Sequence, residues 1–348
     1  MTERRRLRPW LTRELKITVV GAARQYSGTL GGIALCQVAV TLTLATSRGH
    51  ALIGRKLYLP GACAADGEHR ELAGVPEEVM FAAKPELAGD LLARAHERGI
   101  RAAFVAGDEV YSGRQLRRAI RGRGMGYVLA VRANHTLTVR SGRAMTAARA
   151  ARLIPRGAWH RVRTGHGSKG LRHYDWAMLE VTSDDAPSGH AGGYSVLLVR
   201  RHRYTGTLSF YRCWTPGPVP LSRLIAVAVI RWRIEEDHQL AKQSTGLDAG
   251  QVIRWKSWHR WSAICLLAYI YLAVAVASQR EHDAGSDIDA GLIPITVPEL
   301  LRLLRDIVIP PPRRVRAHRL HWSDWRRHHQ HRARQAHQSW NAYAETTP

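Results

Sequence analysis

The sequence of 348 residues predicts an α/β fold built on a mixed sheet, and three observations support this. Residues 33–59 contain two runs rich in β-branched residues, which is typical of an antiparallel strand pair. Residues 85–131 alternate helical and strand patterns, which indicates parallel strands joined by right-handed crossovers. Residues 134–217 show strand patterns between turns, and helical periodicity returns at residue 218. We therefore expect a β-rich insertion between two parts of one core.

The first elements are predicted to be strands. Short apolar runs at Ile17–Gly21 (ITVVG), Ile33–Ala45 and Ala51–Leu59 suit strands, with a turn at Ser47–His50 between the last two. The alternating segment that follows is predicted as helix, buried strand, helix and buried strand at Pro85–Arg98, Ala102–Ala106, Arg114–Arg123 and Gly126–Val131.

Strands are predicted inside the insertion at Arg172–Val181, Tyr194–Val199 and Thr207–Cys213, and helices after it at Leu221–Lys242, Trp258–Gln279 and Val297–Asp306. The predicted organisation begins with a basic disordered leader (residues 1–15) and the first part of the core (16–133). The β-rich insertion (134–217), the helical completion of the core (218–308) and an Arg/His-rich tail (309–348) follow.

Charge points to a polyanionic partner. The chain has 52 Lys and Arg against 28 Asp and Glu, a net charge of +24. Nucleic acid is the usual partner of such an excess, although a GC-rich genome that favours Arg codons is an alternative source. The four cysteines form no CxxC pair, so neither a zinc site nor a disulfide framework is indicated, and a reducing cytoplasm fits.

The uncharged segment Trp261–Ser278 requires a comparison with a membrane span. It lies at the lower length limit for a transmembrane helix, and Arg260 and Arg280 flank it symmetrically. A buried core helix is the favoured interpretation, and we expect no membrane partner. A basic protein anchored by this segment is the alternative.

Asp108 is the first candidate site residue. It follows a predicted buried strand in FVAGDEVY, and open α/β folds place ligand chemistry at the carboxyl ends of such strands. The competing interpretation is that Asp108 caps the helix that begins near Gly113.

A second candidate lies on the helix with the sequence IRWRIEEDHQLAKQSTGLD. Arg231, Glu235 and Lys242 stand at intervals of four and seven residues, which places them on one helical face. A mixed-charge face is often only solvated surface. Apolar residues interleave with these charges, however, and the two cations bracket the carboxylate, which suits a metal ligand between phosphate contacts.

Four motifs in order resemble one known family. They are RQYSGTLGG (Arg24–Gly32), GDEVY (Gly107–Tyr111), GYVLAVRAN (Gly126–Asn134) and WRIEEDHQLAKQSTGLD (Trp232–Asp248). The set is similar to the insertion-sequence DDE transposases with a Tyr-Arg-Glu-Lys signature, in their DDE superfamily endonuclease branch. Ala228 stands where that signature has its Tyr.

The resemblance implies an RNase H-like mixed sheet with a β-rich insertion before the helix of the catalytic Glu. It implies two Mg²⁺ or Mn²⁺ ions held by three carboxylates, with Asp108 and Glu235 as catalytic metal ligands. Arg231 and Lys242 would contact phosphate. The implied partner is DNA at insertion-sequence terminal repeats, bound by a homodimer in a synaptic complex in the bacterial cytoplasm, at the nucleoid.

The first catalytic Asp of that family has no counterpart here. Its place falls near Arg8 by counting, or just after Val20 by strand position, and neither place holds an acid. Glu3 and Glu14 are the only acids before Asp66. We therefore expect an N-terminally truncated, inactive copy. A non-catalytic DNA-binding remnant that regulates an intact transposase is the alternative.

Two further expectations concern the ends of the fold. In RNase H-like sheets the first strand is central, so either ITVVG fills its position or the domain is marginally stable. The tail Arg313–His337 holds eight Arg and six His. Contact with the DNA backbone is favoured for it, with zinc binding or simple disorder as alternatives.

Overall fold

The computed structural model describes residues 19–27, 31–167, 170–186, 192–250, 252–284, 292–308 and 316–346. Its strands within this part are β1 (Ala23–Ser27), β2 (Gly32–Cys36), β3 (Val38–Ala45), β4 (His50–Tyr58), β5 (Phe104–Gly107), β6 (Gly126–Val131), β7 (Thr136–Thr138), β8 (Ala144–Thr146), β9 (His160–Gly167), β10 (Gly170–Glu180), β11 (Tyr194–Arg201) and β12 (Leu208–Thr215).

The helices are α1 (Gly61–Ala65), α2 (Gly67–Ala73), α3 (Lys84–Glu97), α4 (Arg114–Arg121), α5 (Ala147–Ala151), α6 (Leu221–Ile230), α7 (Arg233–Thr245), α8 (Trp255–Ala284), α9 (Val297–Ile307) and α10 (Arg316–Thr346). Short 3-10 helices occur at Glu109–Tyr111 and Arg156–Ala158. The predicted alternation of helix and strand between residues 85 and 131 is confirmed by α3, β5, α4 and β6.

A six-stranded mixed sheet forms the centre, in the order β5-β6-β12-β11-β10-β9. The β5–β6 pair is parallel, with Gly107 opposite Leu129, and the remaining pairs are antiparallel. The fold is therefore a mixed α/β fold, as predicted. Because β12 pairs directly with β6, strands β9–β12 extend the core sheet continuously, whereas β7 and β8 form a separate antiparallel pair.

The β3–β4 hairpin forms a separate two-stranded sheet, and β1 pairs with β2 in another. Among the described residues, β3 pairs only with β4, and β5 only with β6. The strand predicted at Ile33–Ala45 is divided at Gln37, whose side-chain amide donates to the Val20 carbonyl at 2.6 Å.

The predicted first strand, ITVVG, lies partly outside the described residues. Its described part is a bend and turn, so the expectation of a strand there is wrong for Val19–Gly21. Val20 is fully buried beside Leu57 and Leu59, and its amide donates to Ile253 at 2.9 Å. Val20 thus packs against the edge of the hairpin and fills no position between β3 and β5.

The helix predicted at Leu221–Lys242 is in fact two helices, and this corrects the sequence prediction. The helix tightens at Arg231 and Trp232. The Trp232 amide donates to the Val229 carbonyl at 3.1 Å, and the Glu235 amide donates to the Trp232 carbonyl at 3.1 Å, so each bond spans three residues instead of four. Helix α6 packs on the six-stranded sheet, whereas α7 packs on the β3–β4 hairpin and α8. Because of this break, residues 221–245 pack on both the six-stranded sheet and the β3–β4 hairpin.

Helix α8 differs from the predicted core helix. Cys265, Leu266, Tyr269 and Leu272 are buried, but large apolar side chains on the other face are exposed. By length and composition alone, Trp255–Asp283 is long and apolar enough to cross a membrane, with 33% of its most apolar window buried. The prediction of a buried core helix therefore holds for one face of α8 and is wrong for the opposite face.

The C-terminal tail is helical, which rules out the alternative of simple disorder for residues 316–346. Glu299 of α9 anchors it: its carboxylate accepts from Ser323 and lies 3.2 Å from Arg326. Burial alone would raise the pKa of Glu299, but these hydrogen bonds and the Arg326 charge hold it below its usual value.

Candidate active site

Asp108 lies directly after β5, at the carboxyl end of a parallel strand, as predicted. Its side chain accepts a hydrogen bond from the Glu109 amide at 2.8 Å and so caps the 3-10 helix Glu109–Tyr111. It does not cap α4, whose N-cap is Gly113. The second carboxylate oxygen has no hydrogen bond within the described residues, and the residue is exposed.

Gly107 allows the chain to turn tightly before Asp108. A Cβ at Gly107 would lie 2.9 Å from Leu129 Cδ2 and 3.3 Å from Tyr111 Cβ. Tyr111 is half-buried below Asp108, and burial, together with the negative charge of Asp108, raises the pKa of its phenol. Leu129 and Tyr111 therefore leave no room for a side chain at the residue that precedes the candidate catalytic carboxylate.

Glu235 lies in the first turn of α7, on the exposed side. Arg231 Nη1 is 3.3 Å from Glu235 Oε1, across the break between α6 and α7. This confirms the predicted i, i+4 proximity of the two side chains. The positive end of the α7 dipole also favours a negative charge at this position.

Lys242 is in the last turn of the same helix and is half-buried. The pKa of His238 is lowered, first by burial of the His238 ring and then by the positive charge of Lys242. His238 Nε2 lies 2.8 Å from Thr41 Oγ1 on β3. Lys242 is thus near the hairpin, two turns away from Glu235.

Asp237 is a key residue that the sequence analysis did not identify. It is fully buried, and Thr43 Oγ1 donates to its Oδ2 at 2.8 Å. Its Oδ1 lies 2.6 Å from His50 Nδ1 and accepts from the Tyr269 hydroxyl. This carboxylate joins three elements: the hairpin, α7 and α8. It therefore fixes the helix that carries Glu235.

The hydrogen bond between Tyr269 and Asp237 also affects the pKa of the Tyr269 phenol. Burial and the hydrogen bond to the Asp237 carboxylate raise it far above the usual value of a tyrosine, so the phenol remains a donor. A signal was present in the sequence: Asp237 is three residues after Ile234 and four before Ala241, on the inward face of α7.

A second buried polar cluster holds residues 182–186 against α4. Arg117 binds Asp184 through two hydrogen bonds at 2.6 and 2.9 Å. Asp185 is fully buried and contacts Arg121 at 2.7 Å and the Tyr127 hydroxyl. Burial would raise the pKa of Asp184, but the hydrogen bond and charge of Arg117, with the charge of Arg212, hold it well below its usual range.

Helix α6, which ends next to Arg231, packs against β5 and β6. Helix α6 starts beside the start of β5, since Arg223 Cζ is 5.5 Å from the Phe104 ring centroid. In addition, the charge of Arg231 reaches Tyr211 and counters the rise of its pKa through burial. Tyr211 pairs with Ala130, the neighbour of the Leu129 that pairs with Gly107.

The candidate ligands do not form a metal site by themselves. Asp108 and Glu235 supply the hard oxygen ligands that Mg²⁺ or Mn²⁺ prefers. Within the part of the chain that the structure describes, however, no group of three His, Cys, Asp or Glu side chains could hold an ion. The residues present do not fit the two-metal centre that the resemblance implies, nor a zinc site in the described part of the tail.

Comparison with known proteins agrees with the fold. Residues 17–176 match the family model of the DDE superfamily endonucleases, and the mixed six-stranded sheet with its helices is consistent with their RNase H-like fold. No curated protein matches the chain. The matched range contains Asp108 and covers a little under half of the chain, and it ends before Glu235. Over these residues the chain is similar to the DDE superfamily endonucleases.

Proposed function

We propose that this protein is a transposase-family protein of DNA transposition that binds DNA but has lost strand cleavage and transfer. The observation that carries the proposal is Asp108, placed after a parallel strand within the range that matches the DDE superfamily endonucleases. The proposal further requires Arg231 and Glu235 to lie towards the same end of the sheet as Asp108. We assign Asp108 and Glu235 as the two remaining carboxylates, and Arg231 and Lys242 as phosphate contacts.

The charge distribution supports DNA as the partner. The net charge is +24, and some of the cations are not neutralised. Arg94 and Arg98 line a cavity of about 120 Å³ with Arg55, and neither of the first two forms an ion pair among the described residues. Burial and the nearby charge of Arg94 lower the pKa of Arg55. An anion such as a DNA phosphate would relieve this repulsion.

Loss of activity follows from the number of carboxylates. Enzymes of the family that the chain resembles would use two divalent ions, held by three carboxylates, for in-line displacement at phosphorus. Asp108 and Glu235 would supply only two of these carboxylates, so less negative charge would offset the mutual repulsion of two divalent cations. The substrate DNA we propose is the terminal repeat of an insertion sequence, with two ends held by a dimer.

A second candidate function is regulation. A protein that keeps the DNA-binding surface without cleavage would occupy element ends or form mixed complexes with an intact transposase. The same exposed cations that favour DNA binding favour this role. It differs from residual catalysis in its effect on an active enzyme, which it would inhibit.

Two measurements test these proposals. The first is binding of a fluorescent duplex of about 30 base pairs at several salt concentrations. The second is nicking of a supercoiled plasmid that carries the terminal repeats, in Mg²⁺ and in Mn²⁺, with Asp108→Ala as the matched control. We expect salt-dependent binding and no nicking above the level of the control.

The outcomes separate the alternatives. Metal-dependent nicking that Asp108→Ala abolishes would contradict the loss of activity and leave the transposase assignment standing. Absence of duplex binding at low salt would contradict the assignment itself. Inhibition of an intact transposase by the wild type, but not by an Arg231→Gln, Lys242→Gln variant, would support the regulatory role.

A further inference from the structure

Three arginines line a small cavity between the β3–β4 hairpin and helix α3. Arg55 of β4, Arg94 of α3 and Arg98, which follows α3, border this cavity of about 120 Å³, and none of the described residues in its wall is acidic. The volume far exceeds the roughly 10–15 Å³ that one water molecule needs, so the cavity can hold an ion of several atoms. Three positive charges around one cavity repel one another, and an anion between them would offset this repulsion.

Arg55 is fixed in place by the protein itself. Its Nε donates to Ser262 Oγ at 2.6 Å, and its Nη2 donates to the His259 carbonyl at 2.6 Å. Its Cζ lies 5.9 Å from the centroid of the Trp258 ring. Within the described part of the chain, Nη1 has no hydrogen bond. A guanidinium held in this way loses little conformational entropy when its remaining nitrogen binds an anion.

Arg94 and Arg98 have no structural role that explains both charges. The carboxyl end of a helix favours a cation, but Arg101 already donates to a carbonyl there. Asp90, four residues before Arg94, is ion-paired with Lys56 instead. Arg94 and Arg98 are themselves four residues apart, and like charges at this spacing destabilise a helix. Among the described residues neither forms an ion pair that would offset this cost.

His259 provides a further polar group at the arginines. Its Nε2 is buried and has no hydrogen-bond partner among the described residues. The ring is held between Trp255 and Trp258, with centroids 4.6 and 4.9 Å away. Burial lowers the pKa of His259, and the charges of Arg55 and Arg94 lower it further. A buried nitrogen without a partner costs free energy, and an anion bound at these arginines would give it an acceptor.

A second cavity of about 420 Å³ adjoins the first, since Arg55 and Arg94 line both. Its wall is largely apolar and includes Leu59, Val79 and Trp255. A small inorganic anion would gain nothing from this wall, whereas the burial of an apolar group against it is favourable. The pair of cavities therefore suits a ligand that has both an anionic group and an apolar part.

The charge balance of the two cavities favours a dianion. Lys56 and Asp90, which also line the larger cavity, neutralise each other in an ion pair. Glu78 is the remaining acid among the described residues of its wall, and it is exposed, so the three guanidinium charges exceed it by two. A phosphate monoester carries a charge of about −1.5 to −2 at neutral pH, whereas a phosphodiester of the DNA backbone carries a single charge. Guanidinium groups also match phosphate oxygens in bidentate geometry.

We propose that the two cavities together bind an organic phosphate monoester of the nucleoside monophosphate class. The phosphate would lie between Arg55, Arg94 and Arg98, and the apolar part would lie in the larger cavity against Trp255. Two sources share this chemistry, a free nucleotide and the 5′-phosphorylated end of a DNA strand. The inference goes beyond the proposed function, because it holds whether or not the chain binds duplex DNA.

The first test is isothermal titration calorimetry of the purified full chain, without DNA. The ligand is adenosine 5′-monophosphate, and adenosine and inorganic phosphate represent its two parts. We expect the nucleotide to bind about tenfold or more tightly than either part, because it alone occupies both cavities. Arg94→Gln and Arg98→Gln should each raise the dissociation constant of the nucleotide about tenfold, since each removes a charge-assisted hydrogen bond.

Arg118→Gln is the matched control. Arg118 is also an exposed arginine on a helix, but it lines neither cavity. It should bind the nucleotide like the wild type, which separates a local site from a general effect of net charge. Thermal unfolding of the free proteins tests the fold, and Arg94→Gln should be at least as stable as the wild type, because it relieves repulsion.

The second test distinguishes the two sources of the phosphate. A short single-stranded oligonucleotide with a 5′-phosphate competes against adenosine 5′-monophosphate, and the same oligonucleotide with a 5′-hydroxyl is its control. Displacement by the phosphorylated strand alone assigns the site to a DNA end. Displacement by neither strand assigns it to a free nucleotide.

Three results would overturn the inference. One is the absence of nucleotide binding at millimolar concentration. Another is equal affinity for the nucleotide and for inorganic phosphate, which would leave the larger cavity without a role. The third is nucleotide binding that both Arg94→Gln and Arg98→Gln leave unchanged. Failure of duplex binding, which tests the proposed function, would not affect any of these measurements.

Discussion

His50 and Asp237 join the β3–β4 hairpin to helix α7: His50 Nδ1 lies 2.6 Å from Asp237 Oδ1, although 187 positions separate them in the sequence. The carboxylate is fully buried and is satisfied by partners on three elements. A buried charge is tolerated only when its hydrogen bonds are complete. The position of α7, and with it Glu235, therefore depends on a residue two positions further along the helix.

Replacement of Asp237 by Asn should destabilise the protein. The substitution keeps the size of the side chain but removes the charge and turns one acceptor into a donor that faces His50, Thr43 or Tyr269. We expect the free energy of unfolding to fall by about 1.5–3 kcal/mol in urea denaturation. Glu236→Gln, one position earlier and partly exposed, is the control and should change stability by less than about 1 kcal/mol. Equal effects of the two variants would contradict the role of Asp237.

Stability should decrease in acid because of Asp184 and Asp185. Burial opposes their ionisation, but hydrogen bonds and charges from Arg117, Arg121 and Tyr127 outweigh it, and the pKa of each is lower than in the unfolded chain. A lowered pKa stabilises the fold fully above the unfolded value of about 4, and this contribution is lost as the pH falls towards the folded value.

The measurement is the free energy of unfolding in urea at pH 6, 4 and 3. Each proton that is taken up on unfolding adds about 1.4 kcal/mol per pH unit to the slope of the free energy of unfolding against pH. Asp184→Asn should be less stable than the wild type at pH 6 and should show a smaller loss between pH 4 and pH 3. A variant with the wild-type slope would show that this cluster does not cause the acid sensitivity.

Gly107→Ala should disturb the site through steric overlap. The added Cβ would lie 2.9 Å from Leu129 Cδ2, so β5 or Leu129 must shift, and Asp108 shifts with β5. We expect a loss of about 1–3 kcal/mol in the free energy of unfolding. Gly113→Ala is a matched control, since nothing lies within 4 Å of its added Cβ. Thermal denaturation of the two variants distinguishes them, and a loss confined to Gly113→Ala would refute this explanation.

Arg231→Gln and Lys242→Gln should weaken DNA binding without a change in sequence preference. Each removes one phosphate contact, so the slope of the logarithm of affinity against the logarithm of salt concentration should fall by about 1 per substitution. Fluorescence anisotropy at four salt concentrations gives this slope. Arg140→Gln is the control, because Arg140 is 85% exposed and pairs with Glu180 and with no residue of the candidate site. If Arg140→Gln alone changed the slope of affinity against salt concentration, the assignment of Arg231 and Lys242 as phosphate contacts would be contradicted.

Local patterns predicted much of the fold because local forces determine it. The β3–β4 pair and the α3–β5–α4–β6 unit follow from periodicity and from glycines such as Gly99, whose φ of +81° ends α3. The break at Arg231 and Trp232 could not be predicted in this way. It arises because α6 and α7 pack on different sheets, which is a property of tertiary structure alone.

In the candidate site, too, local patterns predicted some residues, whereas others depend on tertiary contacts. Motif order and strand position were sufficient to single out Asp108, and helical spacing predicted the contact between Arg231 and Glu235. The spacing of Asp237 from Ile234 and Ala241 indicates the inward face of α7, but its partners on the hairpin and on α8 are distant in the sequence and could not be predicted from it. Likewise, Arg117 and Asp184 are 67 positions apart, and no pattern in either segment indicates the other.

The separate pairing of β3 and β5 affects the spacing of the two carboxylates. Asp108 belongs to the six-stranded sheet, whereas Glu235 is tied to the hairpin through Asp237. Among the described residues, the packing of α3 and Tyr111, the α6–α7 connection and the contact of helix α10 with β10 link the two parts, without a ladder of backbone hydrogen bonds. Side-chain packing, and not strand pairing, therefore sets the distance between the two carboxylates.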